Sequence, residues 1–325
     1  MGAAVSAAGT LALVGCTIIP GTVPGPQGGS VPGRASAAYP FTPAATPTIM
    51  PSGAFSKVST GGPTLAPTAG GPLNAKVVVV DPGHQGGFNP GILNRRVATP
   101  FGPFMCAAAG SETADRSVTE HALNWQVANK LADVLRAKGA TVILTRPDDS
   151  GVGPCNIDRA RIANEAHADL LISVHTDGQA PGRSGIADPQ GFHVQLDTLI
   201  GGDKPDPALL QRSLAAAENV VRNMVSLTDE PVSNYVPRKP KAVWQRSGDL
   251  MVLAGLTATP GVLIEMGNLK DATDLARITN PTHQDAMAIA LETAIEDTLL
   301  KPQYMTPSPE PTAAGSASAS PSGKK

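Results

Sequence analysis

Four consecutive valines, Val77 to Val80, run straight into Asp81-Pro82-Gly83-His84. A β-branched run of this kind suits a strand buried on both faces, as in a parallel sheet. The Asp-Pro-Gly that follows forces a sharp turn, and the turn delivers a histidine. Whatever fold this chain adopts must accommodate a dry strand with an imidazole at its end.

The rest of the domain alternates. Residues 85–116 are rich in Gly, Pro and Asn and read as a long loop, and long loops in compact domains are often functional. A helix is expected from Ser117 to the Gly139 stop, with Leu123, Val127, Leu131, Val134 and Leu135 as its apolar stripe. "TVILT" (141–145) reads as a strand, "DRARIANEAHA" (158–168) as a helix, and "DLLISVH" as a strand ending on His175. "GFHVQL" (191–196) alternates like a strand, 208–228 is helical, "GVLIEMG" (261–267) is a strand, and Pro281 opens a final helix. Strands alternating with helices argue an α/β fold: one domain, a twisted and mostly parallel sheet, helices on both faces.

Composition sets the limits of that domain. No Asp or Glu precedes Asp81, and positions 17–72 are dominated by Pro, Gly, Ala, Ser and Thr. Such a segment buries too little apolar surface to offset its ordering entropy, so 23–72 is expected to be a disordered linker. The same holds for the 301–325 tail, which leaves 73–300 as one globular domain of ordinary size. The apolar stretch within 1–22 suits an export signal, which places the protein in the periplasm or cell wall. Leu13-Val14-Gly15-Cys16 resembles a lipobox, which would lipidate Cys16 and anchor the chain to a membrane. A net charge of −2 and 3 % aromatic residues offer no case for nucleic-acid binding. Cys106 and Cys155, neither in a C-x-x-C pair, read as a disulfide in an exported protein or as two buried thiols.

In parallel α/β sheets ligands bind at the carboxyl ends of the strands, and His84, His175 and Glu265 fall at or just past such ends. Glu120, at the start of the first long helix, is the best-placed third ligand. Two histidines and a glutamate with an open position form a familiar catalytic zinc set, one ion per chain. Each residue also has a plainer reading. Ser117-x-x-Glu120 spells a helix capping box, His84 could bond backbone in its turn, and His175 could sit satisfied in the core. Glu265 is harder to explain away, because a carboxylate after Val262-Leu263-Ile264 is costly to bury without a partner.

The sequence resembles the zinc-dependent N-acetylmuramoyl-L-alanine amidases of the amidase 3 type, actinobacterial members in particular. Four ordered blocks carry the likeness: "VVVVDPGHQGGFNPG", "TEHALNWQVANKLADVLRAKGATVILTRPDD", "RARIANEAHADLLISVHTD" and "PGVLIEMGNLKDATD". The resemblance implies zinc ligation by His84, Glu120 and His175, and Glu265 as general base and acid in cleaving peptidoglycan between N-acetylmuramic acid and L-alanine. Asp177 stands where the family often has Asn. Arg246, placed in the loop before the last strand, reads either as a partner for a stem-peptide carboxylate or as a merely solvated arginine. A monomer is expected and a regulatory protein partner is left open. The rival reading is a zinc-bearing but inactive domain that binds peptidoglycan or a regulator.

Overall fold

In the computed structural model the described residues are 61–183, 185–202, 204–236, 242–301, 303 and 306. The export signal with Cys16, most of the linker and nearly all of the tail lie outside them. The valine run forms β2 (Val77–Pro82), which reaches two residues into the turn sequence. Around it lie β1 (Thr64–Leu65), β5 (Thr141–Leu144), β6 (Leu170–Asp177), β7 (His193–Asp197), β8 (Val243–Arg246) and β9 (Gly261–Asn268). The sheet order is β1-β5-β2-β6-β9-β7-β8. The β5, β2, β6 and β9 strands are mutually parallel, whereas β7 runs antiparallel to β9 and β1 antiparallel to β5.

The pleat sorts the strand side chains between two helical layers. Val77, Val79, Ile143, Leu171 and Leu263 pack with Ala160 and Ala163 of α3 (Asn156–Glu165) and with Val252 and Leu253 of α5 (Met251–Ala254). Across the sheet, α2 (Glu120–Ala137) lies on β2, β5 and β6, and α4 (Pro207–Leu227) on β7, β8 and β9. Between those two packs α7 (Pro281–Leu300), and α6 (Ala272–Ile278) bridges it to β9. No helix among the described residues is long and apolar enough to cross a membrane.

Three features depart from the sequence reading. Residues 61–72 lie against the domain: Gly62 donates to Leu144 O, Thr68 to Arg136 O, and Leu144 to Pro63 O, all at 3.1 Å. Backbone pairing with the edge strand supplies order that side-chain burial does not. The 85–116 passage is not bare loop; it carries α1 (Pro90–Leu93), capped by Asn89, and a two-stranded ribbon of β3 (Arg96–Val97) and β4 (Phe104–Met105). Finally, α2 starts at Glu120 with Thr119 as N-cap and no side-chain cap bond, so Glu120 is free of the capping role its spacing allows.

Candidate active site

The turn after β2 is held by two buried arginines. Arg159 of α3 reaches Asp81 at 2.7 Å, Pro82 O at 2.9 Å and His84 O at 2.8 Å. Arg146 donates to Pro82 O at 2.9 Å, to His121 O at 2.8 Å and to Asp149 at 2.8 Å, and its guanidinium lies over the Trp125 ring. Both are 1 % exposed. Burial raises the proton affinity of Asp81. Arg159, with Ser173 at 2.6 Å and Thr145, outweighs that and holds the carboxyl ionised below its usual range. Pinned in this way, His84 adopts φ +61°, which a residue with a Cβ rarely does.

His84 Nδ1 lies 2.9 Å from Ala108 O. A carbonyl only accepts, so the proton is on Nδ1 and the Nε2 lone pair is directed elsewhere. It faces Glu120 Oε1 at 3.1 Å, and the same oxygen faces His175 Nδ1 at 3.0 Å. The other oxygen of Glu120 accepts from Ser111 N at 2.8 Å, and Ser111 O in turn accepts from Glu120 N at 2.9 Å. One ligand atom from each of His84, Glu120 and His175 lies within 4.8 Å of the others. Nitrogen and oxygen ligands about 2.0–2.2 Å from zinc, arranged tetrahedrally, stand roughly 3.3 Å apart. The two separations from Glu120 Oε1 are near that figure, and the donor set of two imidazoles and a carboxylate suits a zinc ion.

Glycines make this convergence sterically feasible. A Cβ on Gly83 would sit 2.2 Å from His175 Nε2, and one on Gly110, at φ +88°, would sit 2.9 Å from His84 Cγ. Cys106 and Cys155 form a disulfide. It joins the segment that presents Ala108 and Ser111 to the start of α3, which carries Arg159.

Glu265 completes the cluster. It lies level with His175 across the β6–β9 pair, and it lines a cleft of about 370 Å³ together with His84, Ala108, Gly110, Ser111, Glu120 and Asp177. Burial, then the neighbouring Glu120 and Asp177 carboxylates, raise its proton affinity well above that of an ordinary glutamate. Thus the four residues singled out in the sequence do meet. Arg246 is not in a loop: it ends β8, level with Asp197 of β7, pairs with Asp249 and stacks over Trp244, 4.2 Å from the ring centroid. The sequence reading missed His193, Gln195 and Tyr235. His193 and Gln195 lie beside Glu265, and Tyr235 donates to Asp177 at 2.8 Å. The alternation Phe192-His193-Val194-Gln195-Leu196 was the available signal, because it puts two polar side chains on one face.

The fold and cluster define a class: an α/β protein with a histidine–glutamate–histidine set suited to a metal ion at the carboxyl ends of its parallel strands. The particular family follows from known proteins. A family model described as N-acetylmuramoyl-L-alanine amidase matches residues 78–297, and the chain belongs to that family. It is 30 % identical over 234 residues to the N-acetylmuramoyl-L-alanine amidase Rv3717 of Mycobacterium tuberculosis, covering 70 % of this chain and 89 % of the relative. Ami1 of Mycobacterium abscessus, an N-acetylmuramyl-L-alanine amidase solved in its apo form, superposes with a TM-score of 0.60 at 29 % identity, covering 68 % of this chain and 97 % of that one. Ami1 of Mycobacterium smegmatis gives 0.62 at 27 %, covering 70 % and 98 %.

Proposed function

We propose that this chain is an exported zinc amidase that hydrolyses the bond between the lactyl group of N-acetylmuramic acid and the L-alanine of the peptidoglycan stem. One observation carries the reading. Four side chains from separate places (the turn after β2, the start of α2, β6 and β9) line or adjoin a single cleft, three of them offering ligand atoms within 4.8 Å of one another. His84, Glu120 and His175 would hold the ion. Zinc in such a site acts as a Lewis acid and brings water ionisation near neutrality.

Glu265 supplies the proton traffic. It takes a proton from the attacking water and passes it to the departing amine of L-alanine; a C–O bond forms at the lactyl carbonyl as the C–N bond breaks. One group serves as base and then as acid, because the carboxylate must keep the proton until nitrogen accepts it. Arg246 is the cation at the sheet edge; to bind a stem-peptide carboxylate it must exchange Asp249 for the substrate. Export rests on the 1–22 sequence pattern and agrees with a substrate outside the cytoplasm, with lipidation of Cys16 as the anchor.

Elemental analysis paired with digestion of defined muropeptides tests the whole. One zinc per chain, chelator-sensitive cleavage and a new L-alanine amino terminus are expected. Glu265→Gln should retain zinc and lose turnover; cleavage at wild-type rate by that variant would refute the assignment.

A further inference from the structure

The antiparallel pairing of β7 with β9 sets His193 level with Glu265 and Gln195 level with Leu263. Residues opposite one another in a ladder share a face, so His193, Glu265 and His175 form a row across three strands, with Gln195 beside it. Gln195 is 6 % exposed and His193 fully buried. Polar groups so far from water need a reason to be there.

Gln195 Nε2 lies 3.2 Å from Glu265 Oε1 and 3.2 Å from His193 Nε2. The amide nitrogen faces Glu265 and donates to it, the orientation that suits an ionised carboxylate acting as a base. An amide group has two hydrogens, one for each neighbour. His193 Nε2 therefore accepts, and the ring keeps its proton on Nδ1. Burial, with Arg246 nearby, pushes the His193 pKa down to about 3, in keeping with a neutral ring that can accept. Among the described residues Gln195 gives Glu265 its one side-chain donor, while Glu265 Oε2 has no hydrogen-bond partner.

We propose that Gln195, steadied by His193, is the positioning residue for Glu265: its amide holds Oε1 and so fixes the orientation in which the carboxylate meets the reacting water. The proposal rests on Glu265 being the base. Without that donor no side chain among the described residues fixes the terminal torsion of the carboxylate, and a misplacement of about 1 Å can cost on the order of a hundredfold in rate.

Gln195→Met keeps length and removes the donor. It should retain stoichiometric zinc and KM within about threefold, while kcat falls roughly ten- to a hundredfold. His193→Phe, which keeps a ring but removes the acceptor, should give a smaller loss of kcat in the same direction. The discriminating measurement is a double-mutant cycle. In a Glu265→Gln background, Gln195→Met should not lower the residual single-turnover rate further, because the group it positions is already gone. Equal fold-losses in both backgrounds would show a merely structural effect and overturn the proposal, as would kcat within twofold of wild type in Gln195→Met. Should that variant fail to fold, Gln195→Asn, whose amide is one methylene short, must show the same cycle. Wild-type turnover in Glu265→Gln alone would remove the base itself, a failure read from a different variant.

Discussion

Replacing Gly83 by alanine isolates the metal set from the rest of the fold. Gly83 has no positive φ, so its backbone tolerates a side chain, and its amide can still donate to Val174 O at 2.9 Å. The added methyl is the difficulty. It would lie 2.2 Å from Nε2, 2.3 Å from Cε1 and 2.5 Å from Cδ2 of His175, where ordinary contact begins at 3.4 Å. The imidazole must therefore retreat by about 1 Å, several times the roughly 0.2 Å that metal–ligand distances tolerate. Disturbing residues that merely support a ligand weakens metal binding by about 10–100-fold, so displacing a ligand should cost at least about a hundredfold, on the order of 2.7 kcal/mol. A zinc-competition titration against a chromophoric chelator measures this, with apo-protein melting as the check on folding. Gly91→Ala, whose new Cβ would meet only Asn89 Oδ1 at 3.4 Å, is the control. Zinc affinity within threefold of wild type in Gly83→Ala would mean that His175 does not ligate from this position.

Three further outcomes are expected. Arg159→Met leaves Asp81 charged and unpaired in the core, so unfolding free energy should fall by about 3–5 kcal/mol in denaturant titration, and adding Asp81→Asn should restore part of it. Removing both cysteines frees a loop spanning 49 residues of sequence and should lower stability by about 4 kcal/mol in the chain-entropy model, as seen in urea unfolding of Cys106→Ser/Cys155→Ser. Glu230 is 3 % exposed, and burial together with the nearby Asp274 carboxyl pushes its pKa from 4.5 to about 7. The native state thus keeps a proton that the unfolded chain releases, and stability is lost as pH rises from about 4.5 to 7 and is level above that. Glu230→Gln should therefore match wild type near pH 4 and exceed it by up to about 3 kcal/mol at pH 8; a pH-independent difference would refute the burial argument.

Three of the four chemical groups were legible by one rule, that a parallel strand carries its functional residue toward its carboxyl end, and the fourth by the start of a helix. His84 and His175 follow apolar runs, Glu265 follows Val262-Leu263-Ile264, and Glu120 opens a helix with a clear apolar stripe. His193 and Gln195 escaped because β7 is antiparallel. Its first residue, not its last, lies at the active end, and nothing within "GFHVQL" fixes strand direction. The β8 strand has only one β-branched residue among its four, unlike the apolar β5 of equal length, so Arg246 reads as loop in sequence. Residues 61–72 defeated composition because they are held by backbone pairing with β5, to which side-chain type contributes little.

The supports of the turn were illegible for another reason. Arg146 and Arg159 look like surface charges in sequence, since arginine is almost never fully buried unless paired. Their burial follows from a demand made elsewhere. His84 must be held at φ +61° with Nε2 free, a conformation that isolated chain seldom adopts. Carbonyls of Pro82 and His84 turned inward by that geometry require donors, and Asp81 at the strand end requires a cation; one guanidinium meets all three needs. The strained imidazole and the buried arginine are thus two sides of one constraint. Loss of Arg159 should accordingly lower zinc affinity as well as stability, although Arg159 itself offers no lone pair to a metal.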